Sequence, residues 1–266
     1  LEPMGAIVER RDDRLIPLTT VDAVRNATIR SATWWRETKS GMTPASVPEY
    51  VPKMLRVDPP KDLPVIGTLA IARSPYFSAS GEIVADQGYR AEEQCYCLPN
   101  VNGFVVNDNP TKADVDNAKA LLDEAVCDFP FSEECDKTHA MALFVAPHVR
   151  RMIDGPSPLH LVESARPGTG KGKLVRVASI IARGKACAAH TWHHNRGKVD
   201  ESELKKELVS VAMSGEDWYW IDNVRVKVDS GALAAAIIEG VSGRILGGNA
   251  VAALDAKSMT WVMAGN

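Results

Sequence analysis

Between Leu159 and Asn266, short apolar segments alternate with amphipathic segments of helical spacing. The apolar segments read LHLVES, ACAAHTW, DWYWIDNV and SMTWVMAGN, and the helical ones read KGKLVRVASIIARG, SELKKELVSVAMSG and SGALAAAIIEG. Such alternation is typical of a parallel sheet covered by helices on both faces, because each parallel strand needs a crossover connection. We therefore predict a three-layer α/β core for residues 159–266.

Residues 1–110 have a different pattern, rich in proline and turns. The run VPEYVPKMLRVDPPKDLPVIG contains five prolines, which exclude long helices. The stretches LPVIGTLAIA, GEIVADQGYR and GFVVND predict short strands, and TTVDAVRNATIRSATWW predicts a helix. We expect this part to be a mixed α+β accessory region.

Two helices are predicted between the accessory region and the core. Thr111 and Asp114 form a capping box ahead of an apolar periodic segment. A second helix is predicted over residues 133–153, and Pro147 should kink or split it. The predicted organisation is thus an accessory region (1–110), a helical segment (111–158) and a core (159–266).

The turn between the first core strand and its helix reads ARPGTGKGK, from Ala165 to Lys173. A phosphate-binding loop has the pattern G-x-x-x-x-G-K-[ST]. Gly170 and Lys171 fit it, whereas Ala165 replaces the first glycine and Gly172 replaces the Ser or Thr that normally holds magnesium. The alternative is a solvated Gly/Lys turn with no ligand.

Three features favour the phosphate-binding reading of this turn. Gly168 and Gly170 allow a tight turn whose backbone N–H groups face a phosphate. A helix begins at Lys171, so its positive N-terminal end would meet the negative charge. Further along, Asp222 ends one apolar strand and Asn266 another, which are positions suited to a magnesium ligand and to a residue that orients water.

Residues 159–266 resemble the P-loop ATPase module of AAA+ and superfamily 3 helicases, especially the primase-helicase ATPases of phages and mobile elements. The resemblance is carried by PLHLVESARPGTGKGKLV, WYWIDNV, GALAAAIIEGVSGRILGG and TWVMAGN. The stretches PVIGTLAIARSPYFSASGEIVADQGYR and DFPF are similar to the accessory region of those proteins. A three-layer P-loop NTPase fold is therefore expected, and this ATPase core is expected to be incomplete at its C-terminus, because the chain stops inside the sensor motif.

The resemblance implies ATP and Mg²⁺ as cofactors and DNA as partner, in a ring of identical subunits that unwinds or translocates DNA. It implies that Asp222 binds magnesium and that Asn266 senses the γ-phosphate. Together with Lys171 and Asn223, these two form the expected catalytic set. The residues expected to bind the cofactor are Pro167, Gly168, Thr169, Gly170, Lys171, Gly172 and Lys173.

The same resemblance places the segment around Arg244 and Gly247 on a loop that faces DNA. One departure concerns the acid that polarises the attacking water, because Asn223 stands where a second acid is usual. An amide orients water but takes no proton. Glu216 or Asp217 is a candidate substitute, although both precede the strand. Three alternatives therefore stay open: a DNA-packaging ATPase, a small-molecule kinase, and a non-catalytic module with a decayed nucleotide site.

Bulk properties exclude some other classes of protein. A net charge of −3 argues against a DNA binder that acts through bulk charge. No apolar run approaches the roughly 18 residues of a membrane span, and the N-terminus lacks a signal peptide, so a cytoplasmic protein without membrane contact is expected. The five cysteines are expected to be reduced thiols.

Four further groups have simpler interpretations. A cluster of Cys187, His190, His193 and His194 has residue types that suit zinc, but its spacing fits no closed site, and a polar surface loop is favoured. Cys95 and Cys97 are expected to be buried thiols. Trp34 and Trp35 are expected in a core or packing seam, and Arg150 and Arg151 on a solvated helix face.

Overall fold

The computed structural model of the chain describes residues 7–11, 14–18, 20–58, 70–93, 95–98, 106–107, 109–195, 197–213, 216–244, 251–254 and 259–266. The chain forms two compact units, residues 1–67 and residues 68–266. The domain boundary that the sequence predicts near residue 110 does not coincide with the division after residue 67, and it stays a prediction. Within the described ranges, no helix is long and apolar enough to cross a membrane.

The first unit contains two hairpins and two helices. Its elements are β1 (Val8–Arg11), β2 (Arg14–Pro17), α1 (Val21–Ser31), β3 (Trp35–Thr38), β4 (Gly41–Pro44) and α2 (Tyr50–Val57). The predicted helix is confirmed as α1, which Thr20 caps by accepting a hydrogen bond from the backbone N–H of Ala23 at 3.1 Å. The described part of the proline run, residues 47–58, contains the eight-residue α2, in which Pro52 is the third residue and so needs no N–H bond.

The hairpin of β3 and β4 is a feature that the sequence pattern did not predict. All residues of both strands are exposed, and Trp35 is 53% exposed. The interpretation of Trp35 as a core residue is therefore wrong, whereas a packing seam stays a prediction; Trp34 is half-buried. The strand has no apolar face to bury, because its residues do not alternate between apolar and polar types.

The second unit begins with short strands followed by helices. Its first elements are β5 (Ala70–Ala72), β6 (Tyr76–Phe77), β7 (Ile83–Val84), β8 (Gly88–Arg90), β9 (Cys95–Cys97), α3 (Lys112–Glu124), α4 (Glu134–Val149) and a 3-10 helix (Arg150–Met152). β9 pairs with β5 in parallel and with β8 in antiparallel orientation, and β6 pairs with β7. The predicted strand GFVVND lies outside the described residues except for Val106 and Asn107.

Both predicted helices of this segment are confirmed. Thr111 and Asp114 form the capping box of α3. Pro147 lies in the last turn of α4, and the chain continues as the 3-10 helix after Val149. The expectation that Arg150 lies on a solvated face is wrong, since Arg150 is 4% exposed and donates to the backbone oxygens of Ile153 and Gly155. These carbonyls follow the helix end and need donors.

The remaining elements form the α/β core. They are β10 (Leu159–Glu163), α5 (Lys171–Arg183), β11 (Ala189–Thr191), β12 (His194–Asn195), β13 (Lys198–Val199), α6 (Glu201–Met213), β14 (Trp218–Val224), α7 (Gly231–Glu239), β15 (Val241–Arg244), β16 (Val251–Leu254) and β17 (Thr260–Gly265). A four-stranded sheet has the order β10–β17–β14–β11, and all its pairings are parallel. The predicted α/β class is therefore confirmed as a parallel sheet flanked by helices.

Alternate residues of β14 face opposite layers. Trp218 and Trp220 are buried in the cluster formed with α4 and α5, whereas Tyr219 and Ile221 are buried in the cluster formed with α6 and α7. A strand buried on both faces has a continuous apolar sequence, which is why WYWI contains no polar residue. The sheet is thus the middle of three layers.

The connections explain which helices cover which face. The chain leaves β10 through α5 to the opposite edge strand β11, and then returns through α6 and α7 to β14 and β17. Right-handed crossovers in opposite directions place their helices on opposite faces. The loops after β10 and β14 therefore lead to helices on opposite faces, and the carboxyl ends of such strands are where parallel α/β sheets form ligand sites.

Candidate functional site

The loop from Ser164 to Gly170 joins the carboxyl end of β10 to the start of α5. Gly168 and Gly170 have φ of +81° and +98°, a left-handed backbone that favours glycine. Ser164 Oγ and Thr169 Oγ1 are 2.7 Å apart, and both hydroxyls donate to the backbone oxygen of Arg166, at 2.8 and 3.3 Å. The loop is therefore a tight turn fixed by its own side chains.

Lys171 is held at the mouth of this loop by neutral oxygen atoms. Its Nζ donates to Ser164 Oγ at 3.0 Å, to the backbone oxygen of Arg166 at 3.5 Å and to Asn266 Oδ1 at 2.5 Å. These three acceptors match the three donors of an ammonium group. No carboxylate in the described part of the chain pairs with Lys171, so its positive charge is solvated but not neutralised.

The strand order explains the contact between Lys171 and Asn266. β17 lies directly beside β10, and its last residue, Gly265, is in register with Glu163. Asn266 follows, so its side chain reaches the loop that follows β10. The structure thus brings together Lys171 and Asn266, which the sequence analysis placed in one site.

Asp222 and Asn223 lie at a bulge near the carboxyl end of β14. Ile221 pairs with Met263 and Val224 with Gly265, so β14 has one residue more than β17 over this interval. Asn223 adopts φ of +58°, a conformation that asparagine tolerates better than most residues. Bulges frequently re-aim side chains beside active sites, and this one leaves Asp222 half-buried and Asn223 exposed.

The bulge residues have local hydrogen bonds. Asp222 Oδ1 accepts from the backbone N–H of Asn223 at 2.9 Å, and Asn223 Oδ1 accepts from Arg225 Nε at 3.0 Å. Gly265 lies so close that a Cβ there would be 2.9 Å from the backbone oxygen of Val224. The N–H of Asn266 donates to the same oxygen at 3.3 Å. The bulge and the end of β17 therefore fit each other only because residue 265 is glycine.

Gly172, which stands in place of the Ser/Thr of the motif, packs against Trp220. A Cβ at Gly172 would be 3.4 Å from Cζ2 and 3.5 Å from Cη2 of Trp220, which is ordinary contact at its tight end. Trp220 is 1% exposed, and the guanidinium of Arg176 lies 5.6 Å from its ring centre. The first turn of α5 therefore lies directly on a tryptophan, with room for one more carbon atom.

The other predicted site residues have simpler positions. Pro167 and Lys173 are exposed, the first in the loop and the second in the first turn of α5. Arg244 is the last residue of β15 and pairs with Val251 of β16, in a hairpin that the sequence pattern did not predict. Gly247 lies outside the described residues. A DNA contact at Arg244 stays a prediction.

The residues present fit a magnesium ion of the kind that a nucleotide brings with it. Mg²⁺ is usually bound by one or two carboxylates, with phosphates and water completing its shell. Asp222 offers Oδ2, since Oδ1 accepts from Asn223. Gly172 supplies no hydroxyl, so water would take that position.

Glu216 and Asp217 do not belong to this site. They precede β14 at the opposite end of the sheet and pair with Arg183, which is only 2% exposed; the Arg183 Nε to Asp217 Oδ1 distance is 2.9 Å. Burial raises the pKa of Asp217, and the charge of Arg183 opposes this shift. The suggestion that either acid polarises an attacking water at the loop is therefore wrong. We call this end the amino edge (Arg150, Arg183, Glu216, Asp217) and the other the carboxyl edge (Ser164, Lys171, Asp222, Asn223, Asn266).

The cysteine and histidine cluster forms no metal site. Cys187 is buried beneath α5, and its N–H donates to Ser179 Oγ, while His190 and His193 both face Glu207, at 2.7 and 3.3 Å. Among the described residues, no group of three or more His, Cys, Asp or Glu could hold a metal ion.

All five cysteines are free, as predicted. Cys95 and Cys97 are buried, which confirms their interpretation as buried thiols. Burial raises the pKa of both thiols, that of Cys97 to about 11.

Two residues of the site were not predicted from the sequence. Ser164 contacts Lys171 and Thr169, and Gly265 accommodates the bulge. A signal for Ser164 existed, since it is the first polar residue after an apolar strand and precedes a Gly-rich turn. Gly265 gives no local signal, because its neighbour Val224 belongs to another strand.

Comparison of the chain with protein-family models, with curated proteins and with solved structures gives no match. The interpretation of the carboxyl edge therefore depends on its sequence motif and its geometry.

Proposed function

We propose that the chain binds a nucleoside triphosphate with magnesium at the carboxyl edge and hydrolyses it, as the ATPase core of a protein that moves or unwinds DNA. The single observation that carries the proposal is the state of Lys171. A lysine at a helix start, within a glycine turn and partnered by neutral oxygens, is ready to exchange those partners for phosphate oxygens.

Each neighbouring group has a role in the proposed reaction. Backbone N–H groups of the loop and Lys171 bind the β and γ phosphates, and Asp222 binds the magnesium ion. Asn266 contacts Lys171 before the nucleotide arrives, so it would be released to orient water or the γ-phosphate when Lys171 moves. Transfer of the γ-phosphoryl group to water then depends on positioning and on charge stabilisation. The side-chain amide of Asn223 would orient this water.

The DNA part of the proposal is supported by the motif resemblance and by Arg244, which ends a hairpin strand in contact with α6. A net charge of −3 means that any DNA contact depends on local basic residues.

The test is ATP binding by calorimetry with and without Mg²⁺, followed by ATP hydrolysis with and without DNA. Wild type, Lys171→Ala and Lys112→Ala are compared, because Lys112 is an exposed lysine that is likewise the first residue of a helix, α3, and belongs to no proposed site. We expect Lys171→Ala to weaken binding at least a hundredfold and Lys112→Ala less than about threefold. Equal binding by the two variants would exclude a phosphate loop.

A second candidate is a nucleotide-binding module that does not hydrolyse ATP, which the glycine at 172 and the amide at Asn223 favour. Gly172→Ser restores the missing hydroxyl at a position where a Cβ fits. If the hydroxyl is what the site lacks, this variant should bind ATP about three- to tenfold more tightly with Mg²⁺ and unchanged without it. Wild type that binds ATP but shows no turnover, with or without DNA, would establish the second candidate.

A further inference from the structure

Two phenylalanines, Phe129 and Phe131, lie in the turn between α3 and α4. The N–H of Phe129 donates to the oxygen of Val126 at 3.0 Å, and the N–H of Phe131 donates to the oxygen of Phe129 at 2.9 Å. Their ring centroids are 6.2 Å apart with planes tilted by 35°. The backbone of the turn therefore fixes the two rings as a pair.

This pair lies beside the loop that is proposed to bind phosphate. A Cβ at Gly170 would be 3.5 Å from Cε1 and 3.9 Å from Cδ1 of Phe129. Gly170 is the N-cap of α5 and directly precedes Lys171. The edge of an aromatic ring thus lies against the helix start, with no side chain between ring and backbone.

Both rings are half-buried, which distinguishes them from core residues of the same layer. Phe144 and Val175 in that cluster are at most 1% exposed, whereas Phe129 and Phe131 pack against its rim. A half-buried aromatic pair retains open ring surface, which is the surface on which a nucleobase stacks.

We propose that Phe129 and Phe131 form the stacking platform for the base of a nucleotide whose phosphates bind at the loop. This inference rests on the proposed function and specifies the ligand as a nucleotide with an aromatic base, as opposed to an inorganic polyphosphate. Stacking accepts any base, because each has a π face, so the platform provides affinity and little choice among bases.

The test compares ATP with inorganic tripolyphosphate, which carries three linked phosphates without the ribose and the base, so that the Phe variants isolate the contribution of the base. Both are titrated by calorimetry, with Mg²⁺, into wild type, Phe129→Leu and Phe131→Leu, because leucine keeps apolar packing and removes the π face. Phe77→Leu is the matched control, a half-buried phenylalanine of β6. We expect Phe129→Leu to weaken ATP binding about ten- to a hundredfold, with tripolyphosphate binding and the control unchanged.

The outcomes separate this inference from the proposed function. Wild type that binds ATP and tripolyphosphate equally, or a Phe129→Leu variant that weakens both ligands by the same factor, would overturn the platform and leave the phosphate loop in place. Wild type that binds neither ligand would overturn the proposed function and the platform with it.

Discussion

The amino edge and the carboxyl edge of the parallel sheet both carry charged side chains, but they differ in whether a cation is paired with carboxylates. At the amino edge, Arg183 is buried and paired with Glu216 and Asp217, so its charge is neutralised within the protein. At the carboxyl edge, Lys171 is half-exposed, and its hydrogen-bond partners within the described ranges are all neutral oxygens. Charges of the first kind maintain the fold, whereas a charge of the second kind remains available to an anionic ligand.

The largest expected difference between the edges is in stability. Arg183→Met should lower the free energy of unfolding of the second unit by about 3 kcal/mol, because it removes the cation paired with the half-buried Asp217, and the weaker influence of Arg73 offsets only part of this loss. Lys171→Met should lower it by less than about 1 kcal/mol, since its partners are neutral and reach water. Urea unfolding followed by tryptophan fluorescence measures both, and equal losses would contradict the comparison.

The effect of Arg183→Met should also depend on pH. Burial raises the pKa of Asp217, whereas Arg183 and, more weakly, Arg73 lower it, so removal of Arg183 raises this pKa further. The proton that the folded variant takes up at lower pH removes the uncompensated charge, so the stability loss should shrink from pH 7 to pH 5. A loss that stays constant over this range would contradict the role of Asp217.

A smaller effect is expected from the glycine that fits the bulge. Gly265→Ala places a Cβ 2.9 Å from the backbone oxygen of Val224 and should lower the free energy of unfolding by about 1–3 kcal/mol. Gly172→Ala is the matched control, because its Cβ makes ordinary contact with Trp220, and it should change that free energy by less than about 1 kcal/mol. The reverse ranking in urea unfolding would show that the two strand ends are not closely fitted.

The smallest expected effect is that of replacing Asn266, which contacts Lys171. Asn266→Ala removes one of the three acceptors that compete with phosphate, so ATP should bind about three- to tenfold more tightly while turnover falls. Calorimetry and a phosphate-release assay on the same preparation check both parts. Weaker binding in this variant would mean that Asn266 contacts the bound nucleotide directly and does not compete with it.

The sequence pattern was sufficient for the class of the core and for the loop. Strands buried on both faces are apolar throughout, and helices buried on one face repeat every three to four residues, so WYWIDNV and KGKLVRVASIIAR are distinguishable without a structure. Gly170 and Lys171 were found because the phosphate loop is a local pattern.

What the pattern missed depends on neighbours distant in sequence. The insertion of β17 between β10 and β14 brings Gly265 to Val224, and no local pattern encodes that strand order. Asn266 was assigned to the site of Lys171 from the end of its apolar strand and from the family resemblance, without knowledge of this strand order. Arg150 was predicted to be solvated because two adjacent arginines usually lie on the surface. It is buried instead, because its guanidinium donates to backbone carbonyls that follow α4. Asp217 and Asp222 are the same residue type. They lie at opposite edges of the sheet because Asp217 precedes β14 and Asp222 lies near its carboxyl end.

Hydrogen–deuterium exchange of backbone amides, with and without MgATP, tests the difference between the two edges most directly. We expect slower exchange on ATP binding in residues 164–174, 222–224 and 266, and no change in residues 150–155 and 216–218 at the amino edge. Slower exchange at the amino edge, or none at the loop with ATP in large excess, would contradict the assignment of the ligand site to the carboxyl edge.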